Sequence, residues 1–323
     1  MILAAPAHLR GCRALAEDVL GNALGMTTPT PTAGLALVTG ASSGIGLELA
    51  RQFVDHGFDV VVVAEDDAIG TAASELRSGS REVTHVQADL TDPKNVERVW
   101  AEVSALGRPV TAAALNAGVG VGGALADTPL ERHLEIVDLN VRSTVHLTKL
   151  LVDQMVGNGE GRILITSSIV AVAPGPYHAT YAASKAFVHS FAEGIRHELD
   201  GTGVTVTSLM PGATDTRFFE RAGMQDTPVA RGPKDDPADV AKEGYAALME
   251  GRPHVRAGSL KNAVMAELGA HLPDVIGARV GAAQAKPGGA DPASLKQTVM
   301  SEIGHLPQRV GSLVGAVGSR VRR

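Results

Sequence analysis

The stretch Leu35-Ala-Leu-Val-Thr39-Gly40-Ala-Ser-Ser-Gly44-Ile45-Gly46 decides the fold of this 323-residue chain. Its apolar start predicts a buried strand, and the strand leads into a glycine-rich turn. Glycines in such a turn let the backbone approach a ligand without clashes from Cβ atoms. A helix that begins at the turn would direct free amide groups and its positive dipole end at phosphate groups. The stretch therefore predicts a strand, a turn and a helix that together bind the phosphates of a nucleotide.

Apolar runs and amphipathic segments alternate along the chain that follows. Strands are predicted at Leu35–Thr39, Asp59–Val63, Val83–Gln87, Val110–Leu115, Arg162–Thr166 and Val204–Leu209. Helices are predicted at 44–57, 67–78, 93–106, 129–157 and 178–200, with a further helical segment at 259–285. This alternation is typical of a doubly wound parallel sheet with helices on both faces. We therefore predict a single α/β domain of the Rossmann type, which binds its ligands at the carboxyl ends of the strands.

Extensions are expected on both sides of this domain. Residues 1–33 form an N-terminal extension with a proline-rich linker, and residues 286–323 form a basic C-terminal tail, which leaves 34–285 as the predicted dinucleotide-binding catalytic domain. The net charge of −6 gives no reason to expect a nucleic-acid partner. No run reaches the roughly 18 apolar residues that a membrane span requires. With the single cysteine Cys12 and no expected metal site, a cytoplasmic protein is predicted.

A hydroxyl, a phenol and an ammonium group follow the fifth predicted strand. Ser168 comes at the end of that strand, and twelve residues separate it from Tyr181. Lys185 follows Tyr181 by four residues, so both side chains lie on one face of a helix. The positive charge of Lys185 is expected to lower the pKa of Tyr181. A Tyr-x-x-x-Lys pair is common by chance, but it gains weight here because the glycine turn lies upstream.

A carboxylate, Glu65, follows the second predicted strand. In that place it can accept hydrogen bonds from both ribose hydroxyls, and it would repel a 2′-phosphate. No Lys or Arg stands at Ser42, Ser43, Glu65, Asp66 or Asp67. We therefore predict NAD as the cofactor in preference to NADP. The alternative is that these acidic residues form a solvated helix N-terminus, which the helix dipole stabilises.

Together these motifs resemble those of the classical short-chain dehydrogenase/reductases over about residues 34–255. The resemblance extends to Asp89-Leu90, Asn116-Ala117-Gly118, Asn140, and Pro211-Gly212 with the threonines that follow. It implies four catalytic residues, Asn140, Ser168, Tyr181 and Lys185. It also implies cofactor contacts from Gly40, Ser42, Ser43, Gly44, Ile45, Gly46, Glu65, Asp89, Leu90, Asn116, Ala117, Gly118, Tyr181, Lys185, Pro211, Gly212, Thr214 and Thr216.

The resemblance implies an NAD(P)-dependent oxidoreductase that interconverts an alcohol and a ketone or aldehyde by hydride transfer. Tyr181 would be the general acid in reduction and the general base in oxidation, and Ser168 would bind the substrate oxygen. Lys185 would hold the nicotinamide ribose, and Asn140 would keep a water that links Lys185 to solvent. Two alternatives stay open: a catalytically idle nucleotide-binding scaffold, and a sugar-nucleotide epimerase or dehydratase. The latter usually carries a different glycine turn and a larger C-terminal domain.

Two segments are expected to form the substrate site, one after Ser168 and one after Pro211. Their apolar residues predict a medium-sized, fairly hydrophobic alcohol or ketone: Ile169, Val170, Pro174, Pro176, Tyr177, Phe218, Phe219 and Met224. His178 and Arg217 are candidate polar anchors, although His178 is expected to be a loop residue and not a second catalytic acid. Residues 214–220 are predicted to form a mobile lid.

Apolar surfaces wider than a sheet-facing stripe are predicted on the helices at 129–157 and 178–200. Such surfaces on neighbouring helices favour an interface between subunits, and we predict a homodimer or homotetramer. The alternative, that these residues all belong to the internal core, has equal weight from the sequence.

Overall fold

A computed structural model describes residues 34–77, 81–258 and 274–289. These residues contain one parallel sheet of seven strands in the order β3-β2-β1-β4-β5-β6-β7. The strands are β1 (Leu35–Thr39), β2 (Asp59–Ala64), β3 (Val83–Gln87), β4 (Val110–Leu115), β5 (Gly161–Thr166), β6 (Val204–Leu209) and β7 (His254–Val255). The predicted α/β fold with a doubly wound parallel sheet is therefore confirmed, and the six predicted strands end within one residue of the observed ones.

Helices cover both faces of this sheet. They are α1 (Gly44–Asp55), α2 (Ala68–Leu76), α3 (Pro93–Ser104), α4 (Leu130–Ile136), α5 (Thr144–Asn158), α6 (Ala179–Glu198), α7 (Phe218–Arg221), α8 (Pro228–Arg231), α9 (Pro237–Met249) and α10 (Asp274–Ala285). Buried residues of α1, α2 and α9 form one core with the sheet. Buried residues of α3, α5 and α6 form a second core on the opposite face.

The valine run of β2 shows why the sequence predicts this arrangement. Val60 and Val62 belong to one core, whereas Val61 and Val63 belong to the other. Successive side chains of a strand point to opposite faces, so a strand that is covered on both sides needs an apolar residue at every position. Each fully buried valine contributes about 1.5–3 kcal/mol relative to an exposed one. The run is therefore stable only as an interior strand.

The site is positioned by the reversal of strand order at β1. This strand pairs with β2 on one side and with β4 on the other, both in parallel. The connections that leave β1 and β4 go to opposite faces of the sheet, so a crevice opens between their carboxyl ends.

The helix predicted at 129–157 is not continuous. A π-helical segment, Val137–Ser143, joins α4 to α5. Ser143 Oγ and Thr144 Oγ1 donate hydrogen bonds to the carbonyl oxygens of Leu139 (2.5 Å) and Asn140 (2.8 Å) within this stretch. Hydroxyl groups that bond to a carbonyl four residues earlier compete with the regular backbone pattern, and π-helical turns often mark functional sites. The apolar spacing alone could not reveal the irregularity.

Other expectations lie at the edges of the described chain. The extension 1–33 and the part of the basic tail from residue 290 onward lie outside the described residues, as do 259–273 of the predicted helical segment 259–285. The sequence analysis missed β7, which has only two residues and gives no periodic signal. Among the described residues, no helix combines the length and the apolar composition that crossing a membrane requires.

Candidate active site

A cavity of about 660 Å³ occupies the crevice at the carboxyl ends of the strands. Its wall includes the glycine turn after β1, Glu65 and Asp66 after β2, and the segments that follow β3 to β6. Of the predicted catalytic and cofactor-binding residues, only Gly46 and Asn140 do not line it, and both lie behind residues that do. Within the described ranges, no group of three or more His, Cys, Asp or Glu side chains could hold a metal ion.

The glycine turn leaves the cavity side of the backbone free of Cβ atoms. Gly40 and Gly44 have φ values of 67° and 59°, in the left-handed region that favours glycine. A Cβ atom at Gly46 would clash with the carbonyl oxygen of Gly40 and lie 2.6 Å from Asn116 Nδ2. Ser43, at the N-cap of α1, makes no side-chain bond to the amides of the first turn. Those amides remain available to an anion, so the turn fits a dinucleotide pyrophosphate.

Thr39 fixes the two walls of the crevice relative to each other. Its Oγ1 accepts hydrogen bonds from the backbone amides of Asn116 and Ala117, both at 3.0 Å. These residues begin the segment after β4, which forms the opposite wall of the cavity. The sequence analysis did not single out Thr39, although it stands immediately before the first glycine of the turn.

Two arginines reach the end of the cavity that Glu65 and Asp66 line. Arg221 Nη2 lies 3.0 Å from Asp66 Oδ2, and Arg217 Nη2 donates to Ser43 Oγ at 3.2 Å. Ser42 Oγ donates to the same Asp66 oxygen at 2.9 Å. Neither arginine is close to Ser42 or Glu65 in sequence, because both stand more than 150 positions further along the chain. Arg217 lies within the predicted lid, 214–220, and Arg221 follows it directly, which was the available signal.

Asn140 is nearly fully buried in the π-helical segment, at 2% exposure. Its Nδ2 donates to Val119 O and to Ser184 Oγ, and its Oδ1 accepts from Val119 N, all at 2.9 Å. A Cβ atom at Gly118 would lie 3.2 Å from both Asn140 Oδ1 and Lys185 Nζ. The amide therefore ties the segment after β4 to α6, close to the ammonium of Lys185.

Ser168, Tyr181 and Lys185 come together at one wall of the cavity. Ser168 Oγ accepts from Val170 N at 3.3 Å, and its side chain hydrogen-bonds Tyr181. Lys185 Nζ donates to Thr166 O at 2.8 Å and lies 5.8 Å from the centre of the Tyr181 ring. The strand end and the helix face predicted from the sequence thus meet as expected.

The sequence analysis expects the pKa of Tyr181 to be lowered, and this is wrong for the protein chain without its cofactor. Burial raises the pKa of Tyr181 to about 12, and the hydrogen bond with Ser168 opposes this only in part. Burial also lowers the pKa of Lys185 to about 8. Removal of a phenolate from water outweighs the attraction of an ammonium that is 5.8 Å from the ring centre. The charge of Lys185 is evident from the sequence, whereas the burial of Tyr181 is not.

Apolar side chains close the cavity on the side of Tyr181. Phe218 packs against the Tyr181 ring with centroids 5.0 Å apart. The expected residues that line this part are Ile169, Val170, His178, Phe218, Phe219 and Met224, and Pro228, Val229, Gln284 and Ala285 join them from α8 and α10.

Three residues that were expected to line the substrate site do not reach it. Pro174 and Pro176 lie next to Gly281 of α10, and Tyr177 packs beside the cluster of Met224 and Ala285. The sequence analysis could not anticipate this, because it did not predict that α10 packs on the segment after Ser168.

Comparison with known proteins agrees with this geometry. Residues 34–226 match the family model of the short chain dehydrogenases. The chain is 39% identical over 189 residues to 1-deoxy-11-beta-hydroxypentalenate dehydrogenase of Streptomyces exfoliatus, which covers 57% of this chain and 69% of that protein. A short-chain dehydrogenase from Sphingobium yanoikuyae in complex with NADPH is 29% identical, with a TM-score of 0.64, and the match covers 69% of this chain and 87% of that one.

A second solved structure resembles the chain in fold alone. The short chain dehydrogenase/reductase from Burkholderia phymatum in complex with NAD is 24% identical, with a TM-score of 0.66. The match covers 73% of this chain and 92% of that one. The two solved structures thus hold different nicotinamide cofactors.

Proposed function

Because the chain belongs to the short-chain dehydrogenase family and is an oxidoreductase, we propose that it interconverts an alcohol and a ketone or aldehyde with a nicotinamide cofactor. The observation that carries the proposal is the meeting of Ser168, Tyr181 and Lys185 at one wall of a cavity that begins at the glycine turn. One relative is named as the dehydrogenase of a hydroxy compound, which supports an alcohol as one of the two substrates.

The residues of the cavity fit a nicotinamide dinucleotide. The amides at the start of α1 would hold the pyrophosphate, Glu65 would face the adenosine ribose, and Lys185 would hold the second ribose. The segment Pro211–Thr216, which also lines the cavity, would cover the nicotinamide end. The cofactor, when bound, supplies the transfer of a hydride to or from the substrate carbon.

The side chains of the protein bind the substrate oxygen and move its proton. Tyr181 is protonated at neutral pH, because burial raises its pKa to about 12. It would therefore donate its proton to a carbonyl oxygen to which Ser168 also hydrogen-bonds. In oxidation Tyr181 has to accept a proton, so its pKa has to fall in the complex. The positive charge of an oxidised nicotinamide, when bound, would contribute to that fall, beside the ammonium of Lys185 at 5.8 Å from the centre of the phenol ring.

An assay of the full chain with both nicotinamide cofactors tests this proposal. We expect the absorbance of the reduced nicotinamide to change with members of a panel of apolar alcohols and ketones. Cofactor binding without turnover of any member would favour the idle scaffold. Epimerisation or dehydration of a sugar nucleotide, with no net change in the cofactor, would favour a sugar-nucleotide epimerase or dehydratase. A cytoplasmic location completes the proposal, and the single cysteine, Cys12, is consistent with it.

We propose that NAD is preferred, and we expect replacement of Glu65 with Gln to weaken that preference. The Glu65 side chain has no hydrogen bond or ion pair within the part of the chain that the structure describes, so its charge is free to repel a 2′-phosphate. Arg221, in contrast, is paired with Asp66. Removal of one repulsive charge should raise the affinity for NADPH relative to NADH by about tenfold, which corresponds to about 1.4 kcal/mol.

Fluorescence titration of both reduced cofactors measures this ratio. Replacement of Arg221 with Gln is the matched control, because it removes the ion pair and leaves Glu65 in place. If the ratio is unchanged in the Glu65→Gln variant and NADPH binding collapses in the Arg221→Gln variant, the arginines and not Glu65 select the cofactor.

We also propose that two or more copies of the chain associate through α4 and α6. Leu130 and Leu134 of α4 are 64% and 51% exposed, and Phe187 of α6 is 46% exposed. These are large apolar side chains on neighbouring helices, and exposure of such a surface favours association. Replacement of both Leu134 and Phe187 with Glu should therefore convert a dimer or tetramer into a monomer, as measured by light scattering after gel filtration. Leu125 lies outside these helices and is 67% exposed, and its replacement with Glu should leave the mass of the oligomer unchanged. A monomeric unmodified chain would contradict the proposal.

A further inference from the structure

The part of the cavity beside Tyr181 is predominantly apolar. We call it the substrate half, and it is lined by Ile169, Val170, His178, Phe218, Met224 and Val229. Charged side chains that also line the cavity lie at its other end, among them Glu65, Asp66, Arg217 and Arg221. Among the residues of the substrate half, His178 is therefore the side chain that can bind a polar group of the substrate outside the reaction itself; Gln284 of α10 is a second polar side chain at the wall on the Tyr181 side.

His178 has an unusual environment for a histidine. It precedes the first residue of α6, is 9% exposed, and its ring centre lies 6.3 Å from that of Tyr181. Its Nδ1 is buried and has no hydrogen-bond partner within the described residues. Such an unsatisfied buried group costs about 1–3 kcal/mol, so its presence calls for an explanation. Burial lowers the pKa of His178 to about 4, which leaves the ring neutral at neutral pH.

The backbone before His178 lies close to the imidazole ring and has an unusual conformation. Tyr177 has a φ of 63°, the one positive value of a non-glycine residue in the described chain. Its carbonyl oxygen accepts a hydrogen bond of 2.8 Å from Gly123 N, which holds this conformation. A Cβ atom at Gly175 would lie 2.7 Å from His178 Nε2. Backbone strain of about 1–3 kcal/mol at such a residue persists where the surroundings fix it, often at binding sites.

We propose that His178 is a specificity residue that hydrogen-bonds a second, uncharged oxygen of the substrate. The inference rests on the proposed function and narrows its substrate class to apolar alcohols or ketones that carry a further hydroxyl or carbonyl group. A neutral imidazole offers one donor and one acceptor, which suits either group. A carboxylate in the same place would lose its hydration among apolar walls without gaining a cation.

Binding of matched ketones, measured without turnover, tests this inference. The full chain with Tyr181→Phe, saturated with reduced cofactor, is titrated with decalone and with decalindione, and the nicotinamide fluorescence is followed. We expect the dione to bind about two- to tenfold more tightly than the monoketone, the range that one net hydrogen bond provides. Replacement of His178 with Leu in the same chain should bring this ratio to about one, with little change in the affinity for the monoketone.

Controls separate recognition from a structural effect. Replacement of His197 with Leu alters the same residue type on α6 at a side chain that is 90% exposed, and it should leave the ratio unchanged. If the Leu variant does not fold, His178→Gln keeps a donor and an acceptor and should retain part of the preference. Cofactor affinity and melting temperature should match between the variants that are compared.

Three results would overturn the inference. They are the absence of a preference for the dione in the His178-containing chain, an undiminished preference in the His178→Leu chain, and tighter binding of oxocyclohexanecarboxylate than of its methyl ester. The failure of the proposed function gives a different result, because then no alcohol or ketone is turned over by the unmodified chain, whatever the binding ratio.

Discussion

Replacement of Tyr181 with Phe lowers kcat for ketone reduction by about a thousandfold, within the range that a general acid supplies. In the proposed reaction the phenol donates the proton, and burial keeps it protonated at neutral pH, with a pKa of about 12. Phenylalanine retains the ring that packs 5.0 Å from Phe218, so the cavity should keep its shape. We therefore expect the dissociation constant of the cofactor and the melting temperature to change little.

Steady-state rates in both directions measure this loss, and their pH dependence gives a second readout. A raised pKa favours the protonated phenol, so alcohol oxidation should speed up as pH rises, whereas ketone reduction should not. The control is Tyr245→Phe, because Tyr245 is a buried tyrosine that packs against Phe53 in the core and does not line the cavity. Undiminished turnover in the Tyr181→Phe variant would contradict the assignment of the acid.

Replacement of Lys185 with Met lowers kcat/KM by about a hundredfold or more, the effect of losing one positioned charge at a reacting centre. The same change should raise the melting temperature at neutral pH. Lys185 is 5% exposed, and burial lowers its pKa from the ordinary 10.5 to about 8. The folded protein thus disfavours the ammonium, whose one hydrogen bond within the described residues is to Thr166 O at 2.8 Å. An apolar side chain of similar length removes that cost.

The pH dependence of this stabilisation has a definite sign. Below about pH 8 the folded chain bears the full cost of the buried ammonium, and this cost disappears as pH rises toward the unfolded pKa of 10.5. The increase in the free energy of unfolding that Met brings should therefore be largest at neutral pH and vanish above the unfolded pKa of the lysine, as measured by urea unfolding. Lys149→Met, at a side chain that is 70% exposed, should alter neither activity nor stability. A lower melting temperature at neutral pH would mean that the ammonium stabilises the fold.

The strands were predictable because their signal is local. A run such as Val60–Val63 is covered on both faces, and few structures other than an interior strand satisfy it. The meeting of Ser168 with Tyr181 was also expected from the sequence, because Ser168 stands at the end of a strand, at the edge where ligands bind, and Tyr181 lies in the first turn of the next predicted helix. The resemblance to the short-chain dehydrogenases was confirmed by the family match over 34–226.

The remaining features depend on contacts between distant parts of the chain. Arg217 and Arg221 reach Ser43 and Asp66 only because the segment after β6 folds back toward the ends of the first two strands. Pro174 lies against α10, and no sequence pattern near Ser168 indicates this contact. The raised pKa of Tyr181 depends on burial by residues from several segments. Sequence motifs identify reactive groups, but the packing that tunes them has no local signature.

The π-helical segment Val137–Ser143 restricts how this region can vary between relatives. A π-helical turn contains about one residue more than an α-helical turn. Loss of a single residue there would convert the π-helical turn into a regular α-helical turn, so the residues inside the segment would change position while α4 and α5 keep their relative direction. Asn140, which lies inside the segment, would then leave the position from which it makes three hydrogen bonds. Mutational drift in this stretch can therefore exchange side chains, but insertions and deletions should be excluded.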